Sequence, residues 1–119
     1  MKNLNKLKRL KFFRRQRRTR AKIKGTSLKP RLSVFRSLTN ISVQAIDDFQ
    51  QKTLAAASSK ELKKKKGKRR EIAKLVGELM GQKLKEKKIK EAVFDKGAYK
   101  YHGRVKALAE GLRKMKINF

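Results

Sequence analysis

The excess of positive charge constrains this chain more than any other feature of its sequence. Lysine and arginine number 37 against 9 aspartates and glutamates, which gives a formal net charge of +28 at pH 7. A compact body with this charge repels itself unless a polyanion neutralises it. Nucleic acid is the expected polyanion, because each neutralised phosphate releases a counterion. An anionic membrane is the competing polyanion, and we expect neither membrane binding nor a small-molecule substrate.

The remaining composition limits the chemistry that the chain could perform. With 119 residues there is room for one hydrophobic core. Cysteine is absent and His102 is the only histidine, which disfavours disulfides, thiol chemistry and zinc sites. We therefore expect no metal and no other cofactor. The basic start is not followed by the apolar run of a secretory signal, so we expect a cytoplasmic protein.

The first 24 residues form a basic arm. They hold twelve of the lysines and arginines, and the first carboxylate of the chain is Asp47. The apolar residues of the arm make a poor helical stripe and its like charges crowd, so we predict that residues 1–25 are disordered alone and helical on RNA. Arginine argues against a mere solubility tail, because guanidinium groups bind phosphate in a bidentate way. The predicted RNA contacts of the arm are Arg9, Lys11, Arg14, Arg15, Arg17, Arg18, Arg20, Lys22 and Lys24.

Residues 26–119 are predicted to form a single α/β domain that begins after the turn-forming residues 25–30. Alternating apolar residues and short connecting turns predict a three-stranded antiparallel meander. Its strands are expected at Arg31–Arg36, Ile41–Asp47 and residues 53–58.

A helix, a strand and a second helix are predicted to follow the meander. Ile72, Leu75, Val76, Leu79, Met80 and Leu84 have the spacing of a helix with one buried face, and a second such helix covers residues 105–115. A short apolar strand ends at Asp95 between them and should lie parallel to one of the first three, which gives a mixed sheet with helices packed on it. Residues 117–119 are predicted to add an edge strand, and the basic residues 60–70 a mobile loop.

The segment between the fourth strand and the last helix is the second predicted RNA contact. Loops at the carboxyl ends of parallel strands often bind ligands, and backbone amides at a helix start attract anions. Its cations suit phosphate and its tyrosines suit base stacking, although one or both tyrosines could instead belong to the core. The predicted contacts are Lys96, Tyr99, Lys100, Tyr101, His102, Gly103 and Arg104. A tip between the first two strands adds Arg36, Ser37, Thr39 and Asn40, with a plain turn as the alternative.

Three carboxylates raise the possibility of a nuclease. Asp47, Asp48 and Asp95 lie at predicted strand ends, where converging carboxylates could hold two metal ions. The favoured interpretation is that they neutralise nearby cations or begin turns. We therefore expect no catalytic residues and no enzyme. The competing functions are a nucleoid-type nucleic-acid-binding protein and, less favoured, a metal-dependent nuclease.

Several segments together resemble the L-eighteen family of bacterial large-subunit ribosomal proteins. The matching pieces are Lys22-Ile23-Lys24-Gly25-Thr26, Pro30-Arg31-Leu32-Ser33-Val34-Phe35-Arg36-Ser37, Ile46-Asp47-Asp48, Val93-Phe94-Asp95-Lys96-Gly97 and Tyr99-Lys100-Tyr101-His102-Gly103-Arg104. Ser42 departs from the family, which often has an aromatic residue there, and Lys96-Gly97-Ala98 replaces the commoner Arg-Gly-Gly.

The resemblance implies a fold, a location and a set of partners. The fold would be a ribonuclease-H-like motif without ribonuclease activity. The protein would be a structural constituent of the large subunit that binds 5S rRNA and helps attach it to 23S rRNA in the central protuberance, near ribosomal protein L-five and other proteins of that region. The resemblance assigns RNA contact to the arm arginines, to residues 36–40 and to residues 99–104.

Overall fold

A computed structural model describes residues 4–62 and 67–119, which form three α-helices, four β-strands and a short 3-10 helix. The elements in chain order are α1 (Leu4–Ala21), β1 (Arg31–Arg36), β2 (Ile41–Asp47), β3 (Lys52–Ser58), the 3-10 helix (Ser59–Glu61), α2 (Arg69–Glu86), β4 (Val93–Asp95) and α3 (Gly103–Lys114). The predicted α/β class is confirmed.

The four strands form one mixed sheet in the order β3-β2-β1-β4. β2 pairs antiparallel with both β1 and β3, and β4 pairs parallel with β1. The predicted meander and the parallel fourth strand are therefore confirmed. Because β1 and β4 run in the same direction, the tip after β1 and the loop after β4 lie at the same edge of the sheet.

One face of the sheet is covered by α2 and α3. Leu32 and Val34 of β1 are buried on this face, whereas Phe35 points away from it and is exposed. The two helices pack against each other through glycines. A Cβ atom on Gly111 would lie 2.2 Å from the carbonyl oxygen of Lys74, and one on Gly77 would lie 2.1 Å from that of Leu108. Further along α2, a Cβ atom on Gly81 would lie 2.5 Å from the side chain of Met115. The contacts therefore advance together from Gly77 and Leu108 to Gly81 and Met115, so the two helices run side by side in the same direction.

The predicted buried face of α2 is wrong at Leu75, which is 41% exposed. The buried positions are Ala73, Val76, Gly77, Met80, Gly81 and Leu84. Leu75 lies on nearly the opposite side of the helix. The prediction counted only large apolar residues, whereas α3 approaches so closely that glycine and alanine occupy much of the contact.

The predicted edge strand at residues 117–119 is also wrong. Only one isolated parallel bridge, between Glu91 and Asn118, forms there. The amide of Ile117 is used by the end of α3, where it donates to the carbonyl oxygen of Leu112 at 3.2 Å, and Asn118 alone pairs with the segment before β4. The interpretation of residues 60–70 as a loop falls partly outside the described residues, since residues 63–66 are not described and α2 begins at Arg69.

Candidate nucleic-acid interface

α1 lies against the loop that connects β4 to α3, which we call the 96–102 loop. The hydroxyl of Thr19 donates a hydrogen bond of 2.9 Å to the carbonyl oxygen of Gly97. The ring of Phe12 meets the ring of Tyr99 edge to face, with 5.6 Å between centroids. Gly97 has a positive φ of 64°, a conformation that favours glycine. The structure thus brings together two segments that the sequence predicted separately.

The face of α1 toward this loop was missed in the sequence. The half-buried residues are Phe12, Gln16 and Thr19 of α1 and Ile23 just after its end, which stand four, three and four residues apart. A search for apolar residues alone overlooks the stripe because Gln16 and Thr19 are polar. That the helix forms only on RNA, and that residue 25 separates an arm from a domain, stay predictions.

A cation-lined cleft of about 550 Å³ opens between α1 and the 96–102 loop. Its cationic lining residues are Arg15, Arg18, Lys22, Lys96 and Lys100. No carboxylate lines it among the residues that the structure describes. A concave surface with one sign of charge focuses the electrostatic field and attracts a polyanion.

Beside this cleft lies an arginine cluster, which consists of Arg36, Arg69 and Arg104. None of its members forms an ion pair with a carboxylate among the residues that the structure describes. The guanidinium carbon of Arg36 lies over the ring of Tyr99, 4.9 Å from its centroid. Arg104 donates a hydrogen bond of 2.8 Å to the carbonyl oxygen of Ser37. The pKa of Arg104 is lowered by burial and further by repulsion from Arg36 and Arg69. A bound phosphate would relieve this repulsion, so the arrangement suits an anion.

Arg69 is a member of this arginine cluster that the sequence analysis did not select. It begins α2, and no acidic residue other than Glu71 lies in the first turn of that helix. A cation at a helix N-terminus opposes the helix dipole. That unfavourable placement, directly after a lysine run, was the signal that could have identified it.

The predicted residues at the strand tip and at the start of α3 have different surroundings. Ser37 and Thr39 are exposed, whereas Asn40 is half-buried and accepts a hydrogen bond of 3.0 Å from the hydroxyl of Ser59. His102 is exposed and precedes α3, which begins at Gly103. Asn40 therefore closes the tip. Ser37, Thr39 and His102 are accessible to a ligand, and Gly103 is half-buried.

The two tyrosines of the loop differ in their contacts. Tyr99 is half-buried and its hydroxyl lies 3.3 Å from both the backbone nitrogen and the carbonyl oxygen of Arg36. Tyr101 is 40% exposed and contacts Phe94 edge to face. Tyr99 thus holds α1 and the strand tip together. Tyr101 is the more exposed ring, and its hydroxyl accepts a hydrogen bond of 3.3 Å from Arg113.

The other predicted arm residues lie on the solvent side of this surface. These are Arg9, Lys11, Arg14, Arg17, Arg20 and Lys24, all of which are exposed. They do not line the cleft.

An ion-pair cluster lies beneath the interface and was not predicted as a unit. Arg31 is 4% exposed, and its Nε and Nη2 bond the two carboxylate oxygens of Asp48 at 2.9 and 3.0 Å. Its Nη1 bonds Asp95 at 2.8 Å. Asp48 also accepts a hydrogen bond from the amide of Gly25, and Asp95 accepts one from the amide of Gly97. The cluster therefore fixes both the end of the arm and the start of the 96–102 loop.

The charges of this cluster stabilise one another. Hydrogen bonding to Asp48 raises the pKa of Arg31 above its ordinary value, and hydrogen bonding to Arg31 lowers the pKa of Asp48. The third carboxylate, Asp47, accepts hydrogen bonds from the amides of Phe49 and Gln50 in a turn. These are the structural roles that the sequence analysis favoured over a nuclease site. Among the described residues, no group of three histidine or carboxylate side chains could hold a metal ion.

The α/β body is small and presents a cation-lined cleft, and its strand-end carboxylates are occupied in ion pairs and turns. These features are typical of the class of nucleic-acid-binding proteins. No helix within the described ranges has the length and apolarity of a membrane span. Comparison with known proteins narrows the class. A family model described as "Ribosomal L18 of archaea, bacteria, mitoch. and chloroplast" matches residues 6–119, and the chain belongs to this family.

Individual relatives agree with the family. Each is a bacterial protein called large ribosomal subunit protein uL18. That of Clostridioides difficile is 50% identical over 99% of this chain and 95% of the relative. That of Desulforamulus reducens is 54% identical over 89% of this chain and 90% of the relative, and that of Brachyspira hyodysenteriae is 48% identical over 89% and 90%. The family indicates a structural role in the large subunit of the cytoplasmic bacterial ribosome, and ribosomal protein families are generally non-enzymatic.

Proposed function

We propose that the protein binds 5S rRNA through α1, the 96–102 loop and the strand tip. In this proposal it helps attach 5S rRNA to 23S rRNA in the central protuberance, near ribosomal protein L-five and other proteins there, and no covalent bond is made or broken. The observation that carries the proposal is the cleft lined by five cations, with the arginine cluster beside it. The finer fold assignment, a ribonuclease-H-like motif without ribonuclease activity, is part of the same proposal.

The geometry supports a division of labour within this surface. Guanidinium groups on α1 and in the arginine cluster would form bidentate bonds with phosphates, and the lysines of the loop would act as point charges. The exposed part of the Tyr101 ring would stack on a base or a sugar. Tyr99 and Asn40 act by positioning, because their polar groups already have protein partners.

The arm and the domain have different parts in the proposal. Residues 1–25 are the arm, which completes its helix on RNA because phosphates remove the repulsion between its cations. Residues 26–119 are the α/β domain. The Arg31 cluster sets the position of the arm on that domain, since Asp48 binds the amide of Gly25.

Competition binding tests the proposal on the full chain. Labelled 5S rRNA is titrated with the protein, and unlabelled 5S rRNA or duplex DNA of equal length competes. We expect 5S rRNA to compete far better than duplex DNA. Equal competition by both would refute an rRNA-specific function and favour a nucleoid-type protein.

A matched pair of variants locates the binding surface. The arm variant carries Arg14→Gln, Arg15→Gln, Arg17→Gln and Arg18→Gln; glutamine is a good helix former, so α1 is not penalised. The control is named the lysine-pocket variant after a separate cavity that four lysines line at the ends of α2 and α3. It carries Lys85→Gln, Lys88→Gly, Lys90→Gln and Lys116→Gly and loses the same charge. We expect the arm variant to lose most of its 5S rRNA affinity and the control to stay within about twofold of the wild type. Equal losses would show a nonspecific charge effect.

A further inference from the structure

A second cationic site lies where α2 and α3 end. Lys85, Lys88, Lys90 and Lys116 line a cavity of about 640 Å³. Its other lining residues are Ile89 and Ile117, which are 7% and 3% exposed. We call this site the lysine pocket. None of its lysines belongs to the surface assigned above to 5S rRNA.

The two helices that build the lysine pocket end in the same way. Residues 84–89 read Leu-Lys-Glu-Lys-Lys-Ile and residues 112–117 read Leu-Arg-Lys-Met-Lys-Ile. In each case the amide of the isoleucine donates to the carbonyl oxygen of the leucine, at 2.9 Å after α2 and at 3.2 Å after α3. This is the Schellman cap, in which a buried apolar residue seals the helix end. The repeated cap places both isoleucines in the floor of the pocket.

The lysine before each isoleucine occupies a position at which glycine is usual. Lys88 and Lys116 have φ values of 62° and 63°, in the left-handed region. L side chains are disfavoured there, and glycine most often fills this position of the cap. The chain therefore places a cation at both helix ends where the backbone alone would favour glycine.

Helix dipoles do not account for the charge of the lysine pocket. Each helix C-terminus carries about half a negative charge, so two helices offset about one of the four lysines. Among the described residues, none of these four lysines forms an ion pair. Glu86 and Glu91 are the nearest acids along the chain, and both are exposed and do not line the pocket. A surplus of positive charge remains.

We propose that the lysine pocket binds the phosphodiester backbone of a second RNA segment. Its lysines would contact phosphates, and its isoleucine floor would receive the apolar face of a ribose or base. α2 begins with Arg69 in the arginine cluster and ends at the pocket, and its 18 residues span about 27 Å. That distance is too great for one phosphate to contact both sites, so RNA at the pocket is a different stretch of backbone from the RNA at the arginine cluster. This inference rests on the proposed function, because that function makes RNA the ligand.

A two-RNA capture experiment tests the inference on the full chain. 5S rRNA is immobilised, protein is added, and retention of labelled 23S rRNA is measured over a range of salt concentrations. The lysine-pocket variant should fold, because Lys88→Gly and Lys116→Gly relieve left-handed residues; circular dichroism checks this. We expect it to bind 5S rRNA within about twofold of the wild type and to retain 23S rRNA at least tenfold less. The slope of log affinity for 23S rRNA against log salt should be shallower by about three units.

The possible outcomes distinguish failure of the lysine pocket as an RNA site from failure of the proposed 5S rRNA binding. Retention of 23S rRNA at the wild-type level would overturn the lysine pocket as an RNA site, and so would an equal loss of both RNAs. Competition by polyglutamate as effective as that by RNA would assign the pocket to an acidic protein segment and overturn the inference. If the wild type bound 23S rRNA through the pocket but not 5S rRNA, the proposed function would fail while the pocket would be supported.

Discussion

Replacing Arg31 by methionine should destabilise the fold by about 3–5 kcal/mol, the usual cost of removing one partner from a buried ion pair. The side chain is 5% exposed and provides three hydrogen bonds, two to Asp48 and one to Asp95. Asp48 is 26% exposed and can gain water, whereas Asp95 is 1% exposed and cannot. Most of the cost therefore falls on Asp95, which would keep only its bond from the amide of Gly97.

Urea unfolding followed by circular dichroism measures this loss. A small domain has a free energy of unfolding of about 5–15 kcal/mol, so Arg31→Met should be marginally stable. Arg31→Lys is the matched control. It keeps the charge but replaces a three-donor fork with one ammonium group, and we expect an intermediate loss.

The pH dependence of stability provides a second, independent test of this ion pair. Because the pKa of Asp48 is lower in the folded state, that state binds fewer protons than the unfolded one. The stabilisation is present above the ordinary aspartate pKa of about 4 and is lost as the pH falls through the lower folded-state value. The difference between wild type and Arg31→Met should therefore shrink from pH 7 to about pH 3. A difference below about 1 kcal/mol at pH 7, or one that does not change with pH, would refute the reasoning.

Two further pairs of substitutions separate packing from binding. Gly111→Ala should cost about 1–3 kcal/mol of folding free energy, because its Cβ would meet the carbonyl oxygen of Lys74 at 2.2 Å. A Cβ atom on Gly103 would meet no other atom within 4 Å, and the residue has a φ of 56°, so Gly103→Ala should cost only the left-handed backbone penalty of about 1–2 kcal/mol. A larger loss of folding free energy for Gly103→Ala than for Gly111→Ala in urea unfolding would contradict this. Tyr101→Ala should weaken 5S rRNA binding by about 1–3 kcal/mol and should destabilise the fold less than Tyr99→Ala, because Tyr101 is the more exposed ring. Tyr99→Ala should lower both the 5S rRNA affinity and the free energy of unfolding, because the Tyr99 ring contacts Phe12 and Arg36. If binding and unfolding assays showed that Tyr101→Ala destabilised the fold more than Tyr99→Ala, the roles assigned to the two tyrosines would be exchanged.

The strands could be predicted because their signals are local. Leu32 and Val34 alternate with Ser33 and Phe35, so the sequence places the two pairs on opposite faces of β1, and the structure buries the face of Leu32 and Val34. The apolar spacing of α3 gave its buried face for the same reason. Where burial depends on a neighbouring helix, as at Leu75 and Gly77 of α2, the sequence of one element is insufficient.

The candidate interface was predicted in its parts but not in its assembly. The cations of the arm and of the 96–102 loop were identified from charge and position. Their common cleft was not, because it depends on a stripe that includes the polar residues Gln16 and Thr19. The Arg31 cluster joins residues up to 64 positions apart, and no local pattern reports such a contact.

The salt dependence of 5S rRNA affinity tests the central claim most directly. The cleft and the arginine cluster together offer eight cations, so the slope of log affinity against log salt should be about −6 to −7 for the wild type. In the arm variant the slope should be shallower by about two units, because two of its four arginines, Arg15 and Arg18, line the cleft. A slope near −1 for the wild type, or the same slope for both proteins, would contradict the claim that this surface binds rRNA through its phosphates.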